Sequence, residues 1–402
     1  MVNYYYIVLI MAYFFCVFYA IRPAVIMFAY NFVLIFFRIF PFKRSKNVRI
    51  SSVGVYTLWC CLSVIMFLLN GMPLSIFITS LVYMGTPIVC YYTTNNPRVD
   101  CEIFFTNFLL AVAVNDLFGT ICFYLKPDFY VSFITRTSET ASAQLLHHAG
   151  VGRLVTLFGS IETGSLSAMG IIVALGLIIR YKSKNKIAII SLIMCAVSLI
   201  LSQQRGPMFT IVFVMLFLIF YSVKERLVKP RVIIIMVVIS IIVMYYLSIN
   251  NPTVFMWIID RMLNPTNAIT ERTNYQFDVI YNHYNIFQWA FGNGIGSCEM
   301  FARGYTRNGL ILDAMYLNIL GEVGIIGLLI YVFIIIESTR LFFKNVKNRF
   351  IPFFIVFQVC FVGLGTTLIY YPQIIPVFWF SLGVLFNKRD VFENKSINLS
   401  NT

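Results

Sequence analysis

Arg205 stands in Ser202-Gln203-Gln204-Arg205-Gly206-Pro207, a short polar turn between two long apolar runs and far from any basic cluster. Pro207 is tolerated in the first turn of a helix, where backbone N–H groups point outward at the positive end of the peptide dipoles. An arginine directly before it makes a compact place to hold an anion. A guanidinium suits that task because it keeps its proton and meets phosphate or carboxylate oxygens two at a time. At a membrane surface the same arginine would contact a lipid phosphate, and the turn alone does not separate the two readings. Three carboxylates could act beside such a cation. Asp313 opens an apolar run and fits either a helix N-cap or a base. Glu322 follows nine residues later and deeper in the same run, and Glu162 lies close to Arg153 where a polar stretch enters another apolar segment.

The elements that must carry these residues are membrane helices. Of 402 residues, 60 % are hydrophobic and 11 % charged, with mean hydropathy +0.84. That composition excludes a water-soluble enzyme. At about 20 residues per crossing, the apolar segments come to twelve. They lie near 4–21, 23–41, 53–70, 73–92, 102–125, 160–180, 187–203, 207–223, 232–249, 314–337, 350–371 and 373–386. Breaks at Arg22-Pro23, at Asn70-Gly71-Met72-Pro73 and at Tyr371-Pro372 divide longer runs into hairpins, because proline cannot continue the backbone ladder. The expectation is an all-α polytopic membrane protein, a single integral membrane domain over residues 1–402, with a first span that is retained and not cleaved.

Charge sets the orientation. With the N-terminus inside, 21 of the 30 Lys and Arg residues fall on the cytoplasmic side and nine outside, which predicts both termini in the cytoplasm. The net charge of +14 is then a topology signal, and no nucleic-acid partner is expected. Eight of the nine outside basic residues are arginines, Arg153, Arg205, Arg272 and Arg303 among them. Two outside loops are long, 126–159 and 250–313, and loops of that length are usually functional. In the second, residues 268–281 read as an amphipathic helix with Ile269, Tyr275, Val279 and Ile280 inward and Glu271, Arg272 and Asp278 on the polar face. After it, Gly292-Asn293-Gly294-Ile295-Gly296 offers a backbone able to approach a ligand closely. Gly321, Gly324 and Gly327 recur every three residues and suit close helix packing. The nine cysteines read mostly as small apolar packers, and the three histidines, His147, His148 and His283, have no metal-site spacing; no metal is expected.

Taken together, Gly292-Asn-Gly294-Ile-Gly296, Asp313-Ala-Met-Tyr316-Leu317, Glu322-Val-Gly324-Ile-Ile-Gly327, the earlier Ser202…Arg205-Gly206 turn and the long outside loop with its arginine resemble the O-antigen polymerase (Wzy) family, within the GT-C-like polymerase and ligase superfamily. The topology resembles it over nearly the whole chain, the motifs over about 200–330. In the ligases the position four residues before the leucine of the Tyr-Leu pair is a histidine used in transfer; here it is Asp313, which favours a polymerase. The spacing from Arg153 to Gly164 also resembles a pattern of the family's outside loops, but about one such pair arises by chance. The resemblance implies an enzyme of the bacterial inner membrane with its active site toward the periplasm, moving a growing glycan from undecaprenyl diphosphate to another lipid-linked repeat unit without cofactor or metal. Its partners would be those lipid-linked units, membrane lipids and a chain-length regulator. In that reaction Arg205 and Arg272 would bind the diphosphate with help from Arg153 or Arg303, and Asp313, or else Glu162 or Glu322, would orient or deprotonate the acceptor hydroxyl. The competing classes are an O-antigen ligase and a transporter that flips lipid-linked oligosaccharides; against the transporter, no repeat relates the two halves and the long polar segments lie on one face.

Overall fold

A computed structural model describes residues 2–19, 51–96, 99–137, 152–181, 185–225, 266–299 and 311–387, with isolated positions at 145, 245, 249, 252, 256, 302 and 391. Among the described residues every regular element is helical, and an isolated bridge between Thr156 and Gly159 is the nearest approach to a strand. The helices are α1 (Tyr5–Tyr19), α2 (Ser52–Leu69), α3 (Leu74–Thr93), α4 (Cys101–Leu125), α5 (Asp128–Thr137), α6 (Ser160–Tyr181), α7 (Lys186–Ser202), α8 (Arg205–Glu225), α9 (Thr266–His283), α10 (Ile286–Phe291), α11 (Met315–Lys344), α12 (Val346–Val362) and α13 (Ile375–Phe386). By length and composition α2, α4, α6 and α11 can cross a membrane, and α1, α7, α8 and α13 are shorter apolar helices. Each begins within a few residues of an apolar segment read from the sequence, as do α3 and α12, but α11 runs seven residues past the end of its segment and α12 stops nine residues short of its own. The segments at 23–41 and 232–249 fall wholly or almost wholly outside the described residues.

Contacts gather the chain into two compact units, one of Met1–Pro23 with Glu102–Thr266 and one of Ala24–Cys101 with Asn267–Thr402. In the first, α6 is buried along most of its length and packs on α7 through small residues. A Cβ on Gly170 would come within 2.7 Å of Cys195 Sγ, and one on Gly164 within 2.7 Å of Ser202 Oγ, so both helices depend on the missing side chains to approach. Asn185 caps α7, its side chain accepting the Ala188 N–H at 3.1 Å. The helix stops where Gln203 turns to φ 54°, a left-handed residue that lets the chain reverse into α8.

In the second unit, α2 and α3 form a hairpin through Gly71 at φ 69°, with Pro73 as the N-cap of α3. Helix α13 lies on α3, where Asn387 Nδ2 donates to Thr94 Oγ1. The 30-residue α11 is interrupted at Gly324, whose φ of 70° and ψ of −177° belong to no helix. Two of the segments expected outside carry short helices, α5 within 126–159 and α9 and α10 within 250–313.

Candidate functional site

In the first unit the sequence-predicted residues Arg153, Glu162 and Arg205 belong to one stitched corner. Arg153 Nε donates to Ser202 O, placing a cation on the last carbonyls of α7, the negative end of its dipole. Leu154 N donates to Leu201 O at 3.0 Å, Gln203 Nε2 to Gly152 O at 3.2 Å, and Gln204 Nε2 to Ser160 O. These bonds fix the turn so that Arg205, half-buried, begins α8 with Pro207 inside its first turn. Glu162 is 8 % exposed, and its carboxylate faces the N–H groups of Ile161 and of its own residue at the start of α6. Gly159, at φ 116°, leaves the space this carboxylate occupies. The local role of Glu162 is therefore to satisfy a buried helix N-terminus.

In the second unit, the glycine loop and the break in α11 form one construction. Interrupting a helix strands its carbonyls, and here each one finds a donor. Gly321 O accepts Asn293 N at 2.9 Å and Tyr284 OH at 3.0 Å; Glu322 O accepts Gly294 N at 2.8 Å; Val323 O accepts Trp59 Nε1 at 2.9 Å. Gly292, Gly294 and Gly296 all have positive φ, and a Cβ on Gly292 would strike the Glu322 backbone while one on Gly324 would strike that of Ala290. The expectation that these glycines admit a ligand is thus corrected: the backbone that approaches them is the protein's own. The every-third glycines of α11 divide likewise, since Gly324 breaks the helix, Gly321 faces Cys298 Sγ, and Gly327 packs on Trp59.

Glu322 anchors this construction. It is 2 % exposed, and its carboxylate accepts Tyr370 OH and, at 3.4 Å, the N–H of Cys298, with the N–H of Gly296 also facing it. Burial pushes the Cys298 thiol and the Tyr284 hydroxyl well above their usual ranges, so both stay neutral as packing and donor groups.

Asp313 behaves in the opposite way. The N-cap expected of it belongs to Ala314, which lacks a capping side chain because the helix starts one residue later than the polar signal suggested. Tertiary partners replace the cap: Ala314 N donates to Gln276 Oε1 at 3.2 Å and Met315 N to Gly363 O at 2.9 Å. The Asp313 side chain is exposed. Gln276, 6 % exposed, is a residue the sequence reading missed, and it ties α9 to the start of α11. Arg272 precedes it by four residues within α9, and the side chains of Glu271 and Arg272, expected on the polar face, lie outside those described. A spacing rule applied to α9 would have flagged Gln276; nothing in the sequence marks Tyr370 or Trp59. Within α9, Ile280 is buried and Val279 half-buried as expected, whereas Tyr275 is 72 % exposed and not inward. Arg303 lies outside the described residues.

The family model described as O-Antigen ligase matches residues 190–332. The match supports the O-antigen ligase and polymerase superfamily. It runs from α7 through the break in α11 and includes Arg205, Arg272, the glycine loop, Asp313 and Glu322, leaving Arg153 and Glu162 before it. No curated protein and no solved structure matches the chain. With the apolar helices, the match points to a multi-pass membrane protein of surface polysaccharide assembly.

Proposed function

We propose that the chain is a glycan polymerase of the bacterial inner membrane, moving a growing chain from undecaprenyl diphosphate to the terminal sugar of another lipid-linked repeat unit on the periplasmic side. The observation that carries this reading is an Asp313 that is exposed and does not cap its helix, the N–H of Ala314 after it being already taken by Gln276 of α9. The bond from the donor sugar's C1 to the diphosphate oxygen breaks as the acceptor hydroxyl oxygen bonds to C1. The hydroxyl proton passes to the Asp313 carboxylate, and the diphosphate leaves with its charge held by arginine. A diphosphate is already a good leaving group, so cations and an orienting base are the main requirements. Arg272 holds the diphosphate in this reading; Arg205, Arg153 and Arg303 are further candidate cations, each judged by its own substitution. Glu162 and Glu322 are satisfied by backbone and tyrosine donors, which favours Asp313 as the base.

The matched family carries a ligase description, and Asp313 in the place where the resemblance puts a ligase histidine supports the polymerase instead. Purified protein supplied with lipid-linked repeat units alone should give a ladder of longer glycans. A single transfer that appears only when lipid A core is added would make the protein a ligase. Protein that forms no glycosidic bond with either acceptor, yet moves the lipid-linked units across a vesicle bilayer, would overturn the enzyme reading.

A further inference from the structure

Asp116 is a buried carboxylate that neither corner uses. It is the sixteenth of the 25 residues of α4, well inside a helix able to cross the membrane, and it is fully buried. Its Oδ2 lies 2.8 Å from Ser167 Oγ of α6, and Asn115 Nδ2 approaches its Oδ1 at 3.5 Å. Ser198 and Cys195 of α7 face it from the third side. Among the described residues no lysine or arginine joins this group.

The oxygen atoms here outnumber the protons available to them. Ser167 Oγ lies 2.8 Å from both Thr163 O and Asp116 Oδ2, and a hydroxyl has one proton to give. Donated to Thr163 O, that proton leaves Ser167 lone pairs directed at the carboxylate. Asn115 Oδ1, on a fully buried residue, has no hydrogen-bond partner, and the Ser198 hydroxyl and Cys195 thiol turn toward the carboxylate, Ser198 without full hydrogen-bond geometry. Burying this much unsatisfied oxygen beside a negative charge inside a membrane segment is costly unless something positive lies among them.

We propose that Asp116, Ser167, Ser198 and Asn115 form a binding site for one small monovalent cation of the sodium class. The donors are hard oxygens with no nitrogen ligand, the preference of alkali and alkaline-earth ions over transition metals. One carboxylate balances one monovalent charge and leaves the site neutral, whereas a divalent ion would leave an uncompensated charge in the membrane interior. The Asn115 amide serves as a ligand by turning its oxygen inward, a rotation that changes no packing shape.

The test uses the full chain in detergent, its unfolding followed by tryptophan fluorescence in sodium chloride, potassium chloride or choline chloride at equal ionic strength. A ligand bound only by the folded state raises Tm saturably, here by about 2 °C or more for sodium over choline. Asp116→Asn should abolish the difference, and Ser198→Ala should raise the half-saturating sodium concentration about tenfold. Radioactive sodium should bind at one ion per chain. Identical curves in sodium and choline would overturn the site and leave a proton as the neutralising partner of Asp116, as would a sodium response that survives Asp116→Asn. Should that variant fail to fold, an unshifted half-saturation in Ser198→Ala overturns the site on its own.

Discussion

Two carboxylates nine residues apart, Asp313 and Glu322, flank the first two turns of one helix and live in opposite conditions. Asp313 is exposed, does not cap its helix, and is followed by backbone N–H groups already taken by Gln276 and Gly363. Glu322 is buried and receives a tyrosine hydroxyl and backbone N–H groups from the very loop it supports. A carboxylate whose acceptor positions are filled holds structure; one whose acceptor positions face outward can take a proton from a substrate. The difference lies in the partners, since the residue types are nearly the same.

The largest effect that would sharpen this contrast is on turnover. Asp313→Asn keeps size and hydrogen-bonding capacity but loses the charge, so polymerisation should fall about 10²–10⁴-fold at unchanged Tm. Full activity in Asp313→Asn would break the comparison at its catalytic end. Next come the cations: Arg272→Ala and Arg205→Ala should each lose about 2–5 kcal/mol of diphosphate binding or transition-state stabilisation, with lysine restoring only part, as read from glycan ladders at matched expression. Glu322→Ala should instead act on stability, stranding the donors from Tyr370 and Cys298 at about 1–3 kcal/mol each. Glu322→Gln, which retains an acceptor, should recover much of the Tm; a well-folded but inactive Glu322→Gln would reverse the two roles.

The smallest effect concerns a thiol. Cys298 is 1 % exposed beside Glu322 and held neutral by burial, so a water-soluble maleimide should leave it unmodified in the folded protein. The Glu322→Ala protein should label there. Mass spectrometry of the labelled peptides reads the difference, and equal labelling in both would mean that the loop does not depend on the glutamate.

The sequence made the helices and the amphipathic α9 legible because apolar periodicity and turn residues are local signals. Asp313 and Arg205 could be singled out because charge beside an apolar run is costly and conspicuous, and Arg272 because it is an arginine in a long outside loop. The glycine loop was misread for a physical reason: a missing Cβ says that something approaches closely and not what does. The capping role was misassigned because Gln276, 37 residues earlier, supplies the acceptor that a cap would have supplied. Tyr275 defeated the inward pattern because α9 buries a glutamine for its hydrogen bond, against the expectation that only apolar residues turn inward.

The break at Gly324 also bears on how the chain is made. From Ile325 to Lys344 there remain 20 residues of α11, enough to cross about 30 Å of hydrocarbon unaided. The preceding stretch Met315–Val323 carries Asn318 and Glu322, a poor substrate for the insertion machinery. Its stranded carbonyls and its carboxylate are met by Trp59, Tyr284 and residues 293–298, all of which leave the ribosome first, so those partners are already synthesised when the stretch that needs them emerges. Tyr370 alone among the named donors comes later, closing over Glu322 only after the following helix has been made.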